Sequence, residues 1–157
     1  LRINPHDARA HYNLAIILER TGQPLAAIAH YEEALRIQPD SADAHNNLGI
    51  ALVRLGRAQD AIGHYEQALR IRPDFAGAHD NLGVVLAHLG KAQEALGHFE
   101  QALKIDPDDA PARYNLAVAL EQAGRIQEAI RQYEQALRIQ PDLLQAQSNL
   151  ARVRAVR

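Results

Sequence analysis

Apolar residues recur at three- and four-residue steps along the chain, and the pattern breaks at fixed places. In the stretch 42–55, Leu48, Leu52 and Leu55 share one stripe, which Ala44 and Ala51 extend. That spacing is the mark of a helix with one buried face. Gly56 follows, a residue able to take the left-handed conformation that stops a helix. A second stripe opens near Ala58 and carries Ala61, Ile62, Tyr65, Ala68, Leu69 and Ile71. Pro73 ends it, because proline lacks an amide donor and clashes with the preceding turn. The spacing predicts two helices joined by a short turn. Asp74 comes next, where a carboxylate can accept from the first amides of a new helix. Asp40, Asp108 and Asp142 hold the same place.

The whole arrangement repeats every 34 residues, as Pro5, Pro39, Pro73, Pro107 and Pro141 show. Gly22, Gly56, Gly90 and Gly124 keep the same step, as do Asn13, Asn47, Asn81, Asn115 and Asn149. A period of this size belongs to stacked-repeat proteins. The chain reads as a single array over 1–157, with full units at 8–41, 42–75, 76–109 and 110–143. Residues 1–7 read as the tail of a preceding unit and 144–157 as a C-terminal capping helix.

Small and large residues alternate at fixed slots. Ala27, Ala61, Ala95 and Ala129 share one slot of the second helix, and Ala34, Ala68, Ala102 and Ala136 another. The first helix has a small slot at Ala15, Gly49, Gly83, Ala117 and Ala151. Leu14, Leu48, Leu82 and Leu116 and the rings of Tyr31, Tyr65, Phe99 and Tyr133 are the large partners. Small opposite large lets helices approach without voids.

Composition narrows the function. There is no cysteine among the 157 residues, so disulfides and thiolate metal sites are excluded and the redox compartment stays open. With no methionine, the chain reads as a fragment or processed form. No stretch reaches the ~18–20 apolar residues of a membrane span. The first residues lack the apolar run of a signal peptide. A net charge of −2 with both signs interspersed gives no electrostatic case for nucleic acid or an anionic membrane.

The pattern Leu48-Gly49, Ala61, Tyr65, Ala68, Pro73 resembles the tetratricopeptide repeat, in four full copies and two partial ones. The resemblance implies an all-α, right-handed superhelix (an α-solenoid) of antiparallel helix pairs. It implies a non-catalytic scaffold that holds a protein or extended peptide in its concave groove. One departure is the family's early tryptophan, replaced here by His11, His45, His79 and Arg113. The run Ala44-His45-Asn46-Asn47-Leu48-Gly49 is similar to repeats of O-GlcNAc transferase and related bacterial arrays. The 34-residue step argues against pentatricopeptide RNA readers, whose repeats run one residue longer.

In the resembled fold the flank of the first helix lines the groove. The resemblance therefore makes Asn13, Asn47, Asn81, Asn115 and Asn149 candidate peptide contacts, rungs about 10 Å apart if units stack at helix-packing distance. Asparagine carries a donor and an acceptor, which suits a peptide amide. Hydrogen bonding between adjacent helices explains the ladder equally well. Neighbouring positions vary from unit to unit: Tyr12, Asn46, Asp80, Tyr114 and Ser148; Arg9, Asp43, Gly77, Pro111 and Gln145; Ile16, Ile50, Val84, Val118 and Arg152. Ligand choice is expected there. Relatives that clamp the terminal carboxylates of heat-shock chaperones carry lysine and arginine at several of these slots. Tyrosine, asparagine and aspartate dominate here, which argues against that activity.

The remaining polar residues have plainer readings. His11, His45 and His79 share one slot and His30, His64 and His98 another. Histidines one repeat apart are too distant to share a zinc ion, whose ligands sit about 2 Å away. They are read as packing at helix seams, and no metal or other cofactor is predicted. Partly buried imidazoles would loosen the fold near their ordinary pKa of ~6.5. Glu32–Arg36, Glu66–Arg70, Glu100–Lys104 and Glu134–Arg138 are each four apart, acid first, as on a solvated helix face. Serine occurs only at Ser41 and Ser148, and no glycine-rich phosphate loop exists. No catalytic residue is predicted.

The ends suggest a second function. Leu14, Ile17 and Leu18 lie on a first helix preceded only by a stub, and an exposed apolar face invites a partner. At the other end Arg154 stands where Leu18, Leu52, Leu86 and Leu120 stood, with Arg152 and Arg157 adding charge. Unlike end faces imply head-to-tail self-association. A third reading is a substrate-recruiting arm of a larger glycosyltransferase or membrane protein.

Overall fold

The computed structural model describes residues 7–155. Nine helices and no strands occur among them. They are α1 (Ala8–Arg20), α2 (Pro24–Ile37), α3 (Ala42–Arg54), α4 (Ala58–Ile71), α5 (Ala76–His88), α6 (Ala92–Ile105), α7 (Ala110–Gln122), α8 (Ile126–Ile139) and α9 (Leu144–Ala155). The stub 1–6 with Pro5, and Arg157, lie outside the described residues. No described helix is long and apolar enough to cross a membrane.

The helices fall into two compact units, Leu1–Pro73 and Asp74–Arg157. In the first, α1 packs on α2, α2 on α3 and α3 on α4. In the second, α5 through α9 pack in the same consecutive way, and α5 also touches α7. All of this is an all-α repeat fold.

Each leading helix stops the same way. Gly22, Gly56, Gly90 and Gly124 have φ between 74° and 78°, where a residue with a Cβ is strained. In α3 this turn lets the Arg57 amide reach the Leu52 carbonyl at 2.9 Å and the Gly56 amide reach Val53 at 2.9 Å. The same two bonds close the other three turns, so the last carbonyls of each leading helix are satisfied.

The cap at the other end differs from the sequence expectation. Asp40, Asp74, Asp108 and Asp142 do not cap. The caps lie one residue later, at Asp7, Ser41, Phe75 and Asp109. Proline and the aspartate after it form the turn itself. Only the next residue reaches the extended backbone from which a side chain meets the third amide. Asp7, Ser41 and Asp109 do so, at 3.0, 3.3 and 2.9 Å.

The alanine slots of the second helices form the floor of the core. Ala27, Ala61, Ala95 and Ala129 are all fully buried, with Tyr31, Tyr65, Phe99 and Tyr133 beside them. The small slot of the leading helix comes in two versions. Where it is Gly49 or Gly83, a Cβ would meet the ring of Tyr65 at 2.6 Å or of Phe99 at 2.7 Å. Where it is Ala15 or Ala117, the facing ring donates its hydroxyl to an acid one turn on: Tyr31 to Glu19 at 2.9 Å, Tyr133 to Glu121 at 3.1 Å. The glycine repeats carry Val53 and Ala87 at that place, with no side-chain acceptor. Ala151, the last member of the slot, is exposed.

Surface charges pair differently from expectation. Arg36 binds Glu33 rather than Glu32, at 2.6 Å. Glu134 binds Arg154 rather than Arg138, at 2.5 Å. Spacing of three is also used by Arg57–Asp60, Lys91–Glu94 and Arg125–Glu128 at the starts of α4, α6 and α8. There the acid faces the positive end of the helix dipole.

Candidate functional site

Consecutive leading helices leave a cleft between them, and it recurs at the same repeat position in both units. In the first unit it lies between α1 and α3 and is lined by Ile16, Glu19, Arg20, Tyr31, Asn47 and Arg54, with a volume of about 440 Å³. In the second it lies between α5 and α7, about 160 Å³, lined by Val84, Ala87, His88, Phe99, Tyr114, Asn115, Val118 and Gln122. Ile16 and Val84, Tyr31 and Phe99, Asn47 and Asn115 are equivalents two repeats apart. The first cleft has a charged wall and the second a largely apolar one.

The variation has direct causes. Glu19 at the first cleft takes the Tyr31 hydroxyl and lies 3.7 Å from Arg54. Burial, and then the bond to Glu19, push the Tyr31 phenol well above its ordinary range. Ala87 replaces that glutamate in the second cleft, so Phe99 and the valines meet nothing charged. Between α7 and α9 the acid returns. Glu121 receives Arg152 at 2.7 Å and the Tyr133 hydroxyl at 3.1 Å. The hydrogen bond from Arg152 holds the Glu121 carboxyl below its usual range.

Asn47 and Asn115 of the asparagine ladder line these clefts, and together with Asn149 they bond between repeats. Asn47 donates to the Tyr12 hydroxyl at 3.0 Å. Asn115 donates to both oxygens of Asp80, at 3.1 and 3.2 Å. Asn149 donates to Tyr133 at 3.2 Å and, at 3.5 Å, to Tyr114. Asn81 is half-buried on α5 and Asn13 exposed on α1. The three amide groups therefore tie α3 to α1, α7 to α5 and α9 to α7. Asn115 and Asn149 remain half-buried, and their carbonyl oxygens are not used in these bonds.

The variable slot supplies the acceptors. Tyr12 and Tyr114 stand 5.9 Å, centre to centre, from Tyr31 and Tyr133. Asn46 is buried and donates to Asn47 at 3.3 Å. Asp80 is desolvated by burial, which raises its carboxyl pKa. Asn115 opposes the rise, and the charge of Asp109 adds to it. Arg9 and Tyr12 line a separate cleft of about 170 Å³ with Ala34, Gln38 and Ser41.

Of the residues assigned to self-association, Ile17 is 56% exposed and Leu14 and Leu18 are half-buried. Arg152 and Arg154 fold back on Glu121 and Glu134.

The structure also brings together what sequence reasoning kept apart. His11 meets His30, His45 meets His64 and His79 meets His98, each Nδ1 to Nδ1. Comparing histidines one repeat apart misses this, because the partners stand 19 residues apart on the two helices of one repeat. Offsets between slots, not within them, would have found it. Among the described residues no group of three or more His, Asp or Glu side chains converges to hold a metal ion.

Comparisons with known proteins agree with this architecture. A tetratricopeptide repeat family model matches residues 6–74 and again 74–142. No curated protein matches the sequence at significant similarity. Similar solved structures include MamA residues 41 to the end from Desulfovibrio magneticus RS-1, at 25% identity and TM-score 0.87, covering 94% of this chain and 84% of that one. TTC0263, a thermophilic protein of Thermus thermophilus, is 28% identical with TM-score 0.79, covering 96% of this chain and 82% of that one. YrrB, described as having an unusual peptide-binding site, is 24% identical with TM-score 0.65, covering 93% of each chain. With the family model matching residues 6–142 of the chain in two consecutive copies, the chain belongs to the tetratricopeptide repeat family.

Proposed function

We propose that the chain is a peptide-binding scaffold, an array with units 8–41, 42–75, 76–109 and 110–143, whose ligand contacts the leading helices within each compact unit. Proteins of this family are generally non-catalytic scaffolds that bind proteins or peptides. The observation that carries the reading is the cleft recurring between α1 and α3 and between α5 and α7. Within each unit, leading helices that pack at about 10 Å would present a contact to about every third residue of an extended peptide, which advances ~3.3 Å per residue. The α5–α7 cleft suits an apolar side chain. Asn115 and Gln122 at its edge suit the adjoining backbone amides. YrrB, of similar fold, has a peptide-binding site by its own description.

Linear peptides selected from a displayed random library on the wild-type chain test this. Val84→Glu with Val118→Glu should weaken the selected peptides at least tenfold. Glu66→Ala with Gln67→Ala, on α4, should leave them unchanged. Peptides indifferent to the valine substitutions would refute the assignment.

A second reading, end-to-end self-association, rests on the exposed Ile17 beside Leu14 and Leu18. Leu18→Glu should abolish any concentration-dependent growth in light scattering while sparing peptide binding. The role of recruiting arm for a larger glycosyltransferase rests on the Ala44–Gly49 run alone.

A further inference from the structure

In three repeats a histidine of the leading helix faces one on the following helix. The Nδ1 atoms are 2.9 Å apart in His11–His30 and 3.1 Å in His45–His64 and His79–His98. Ring centres are 5.1, 5.3 and 5.3 Å apart and the planes are tilted by 34°, 30° and 35°. Each pair of nitrogens therefore lies near the line between ring centres. That is the layout of an N–H···N hydrogen bond, not of stacked rings. Such a bond has room for one hydrogen. A neutral imidazole offers one donor and one acceptor, a charged one two donors.

The central pair fixes its own tautomers. His45 Nε2 is 3.1 Å from the Pro39 carbonyl oxygen. A carbonyl only accepts, so Nε2 carries the hydrogen and Nδ1 of neutral His45 is the acceptor. His64 then donates from Nδ1, leaving its own Nε2 as a lone pair. A first added proton goes to His64 Nε2 and keeps the seam bond. A second has only His45 Nδ1 to occupy, where two hydrogens would meet across 3.1 Å.

The charged groups around the pair are few. Asp40 from the turn before α3 and Asp60 from the first turn of α4 favour a proton. Arg57 at the start of α4 opposes it and holds Asp60 at 2.7 Å. Arg70 lines the cavity of about 910 Å³ that opens beside the pair, so solvent reaches it. Burial lowers the pKa of both rings, and like charge between His45 and His64 opposes a second proton on the pair.

We propose that the His45–His64 pair is a one-proton latch closing α3 on α4, released when acidification forces a second proton onto it. Release separates the two helices on the side of the cavity lined by Pro39, Asp40 and Ile71. His11–His30 and His79–His98 repeat the geometry. The fourth repeat lacks the latch: Arg113 donates to Gln132 at 3.3 Å and to Gln135 at 2.6 Å, with no shared proton to conflict.

The sign follows from proton counting. Both folded-state values are depressed, so the unfolded chain binds more protons as pH falls below the ordinary imidazole value of ~6.5. Stability is complete above that pH and is lost below it, at up to about tenfold in the unfolding equilibrium constant per pH unit for one surplus proton.

Urea unfolding of wild type and His64→Gln between about pH 7.5 and 5, a window spanning the ordinary imidazole value, tests the latch. A glutamine amide can donate to His45 or, turned over, accept from it, so the conflict disappears. The wild-type unfolding constant should rise about tenfold more per pH unit than the variant's below about pH 6. Imidazole NMR titration of the wild type, which needs no variant, should show the pair taking up one proton before α3 and α4 amides lose protection. Two rings titrating independently near the ordinary value of ~6.5, or a His64→Gln chain with the wild-type pH slope, would overturn the proposal.

Discussion

Glycine to alanine at two positions one helix apart should change stability by clearly different amounts. Gly49 and Gly63 both sit inside helices, so each substitution gains ~1 kcal/mol of helix propensity. At Gly63 nothing lies within 4 Å of the new methyl, and that gain stands. At Gly49 the methyl lands 2.6, 2.8 and 2.9 Å from Cε1, Cζ and Cδ1 of Tyr65. Carbon contacts are comfortable at ~3.5–4.0 Å, so the ring must retreat by roughly 1 Å. Tyr65 is 2% exposed, and its neighbours leave it little space to retreat into. Overpacking of this kind costs about 1–3 kcal/mol. The propensity gain is common to both variants, so their difference isolates the clash. Gly49→Ala should fall below Gly63→Ala by about 1–3 kcal/mol, read as urea midpoints by circular dichroism in one buffer. Gly83→Ala and Gly97→Ala form an independent second pair, because Phe99 lies 2.7 Å from the first and nothing meets the second. Equal midpoints within each pair would refute the packing argument.

Other outcomes follow from the same geometry. Ala95→Leu should lose about 1–3 kcal/mol by overfilling a fully buried slot, and an unchanged melting midpoint would remove the slot from the core. Gly56→Ala should lose roughly 1–2 kcal/mol, because φ of +76° strains a side chain; loss equal to that of an exposed helix surface change would contradict the turn. Asp80→Asn should raise the melting midpoint at about pH 7 and change it little at about pH 3. The raised carboxyl pKa means the folded chain binds the proton more readily, so its penalty is present at neutral pH and vanishes on acidification. A variant equally stabilised at both pH values would point to packing instead.

Much of the fold was legible because a repeated chain tests each inference four times over. Gly22, Gly56, Gly90 and Gly124 each precede a polar stretch at the same step, and only a helix stop explains such isolated glycines. The alanine slots were legible for the same reason. Caps were misplaced by one residue because Pro39 and Asp40 are both consumed by the turn, a detail of backbone angle that spacing does not encode. The destination of the asparagine amides was not legible. Asn47 stands on a flank that faces both the neighbouring helix and solvent, and Tyr12, 35 residues earlier, decides which way its amide turns. The cleft walls depended on pairs such as Glu19 and Arg54, whose meeting requires the stacking itself. The imidazole seam was hidden by comparing like with like: its two halves occupy unlike slots.

The uniform glycine turn also governs what edits the chain tolerates. Because each hairpin closes through the same two backbone bonds, a duplication or excision of 34 residues leaves every ring opposite a small neighbour. An indel of any other length inside a helix rotates the apolar stripe by ~100° per residue and sets aromatic rings against solvent. Growth and shrinkage by whole modules is therefore the route of change this architecture leaves open.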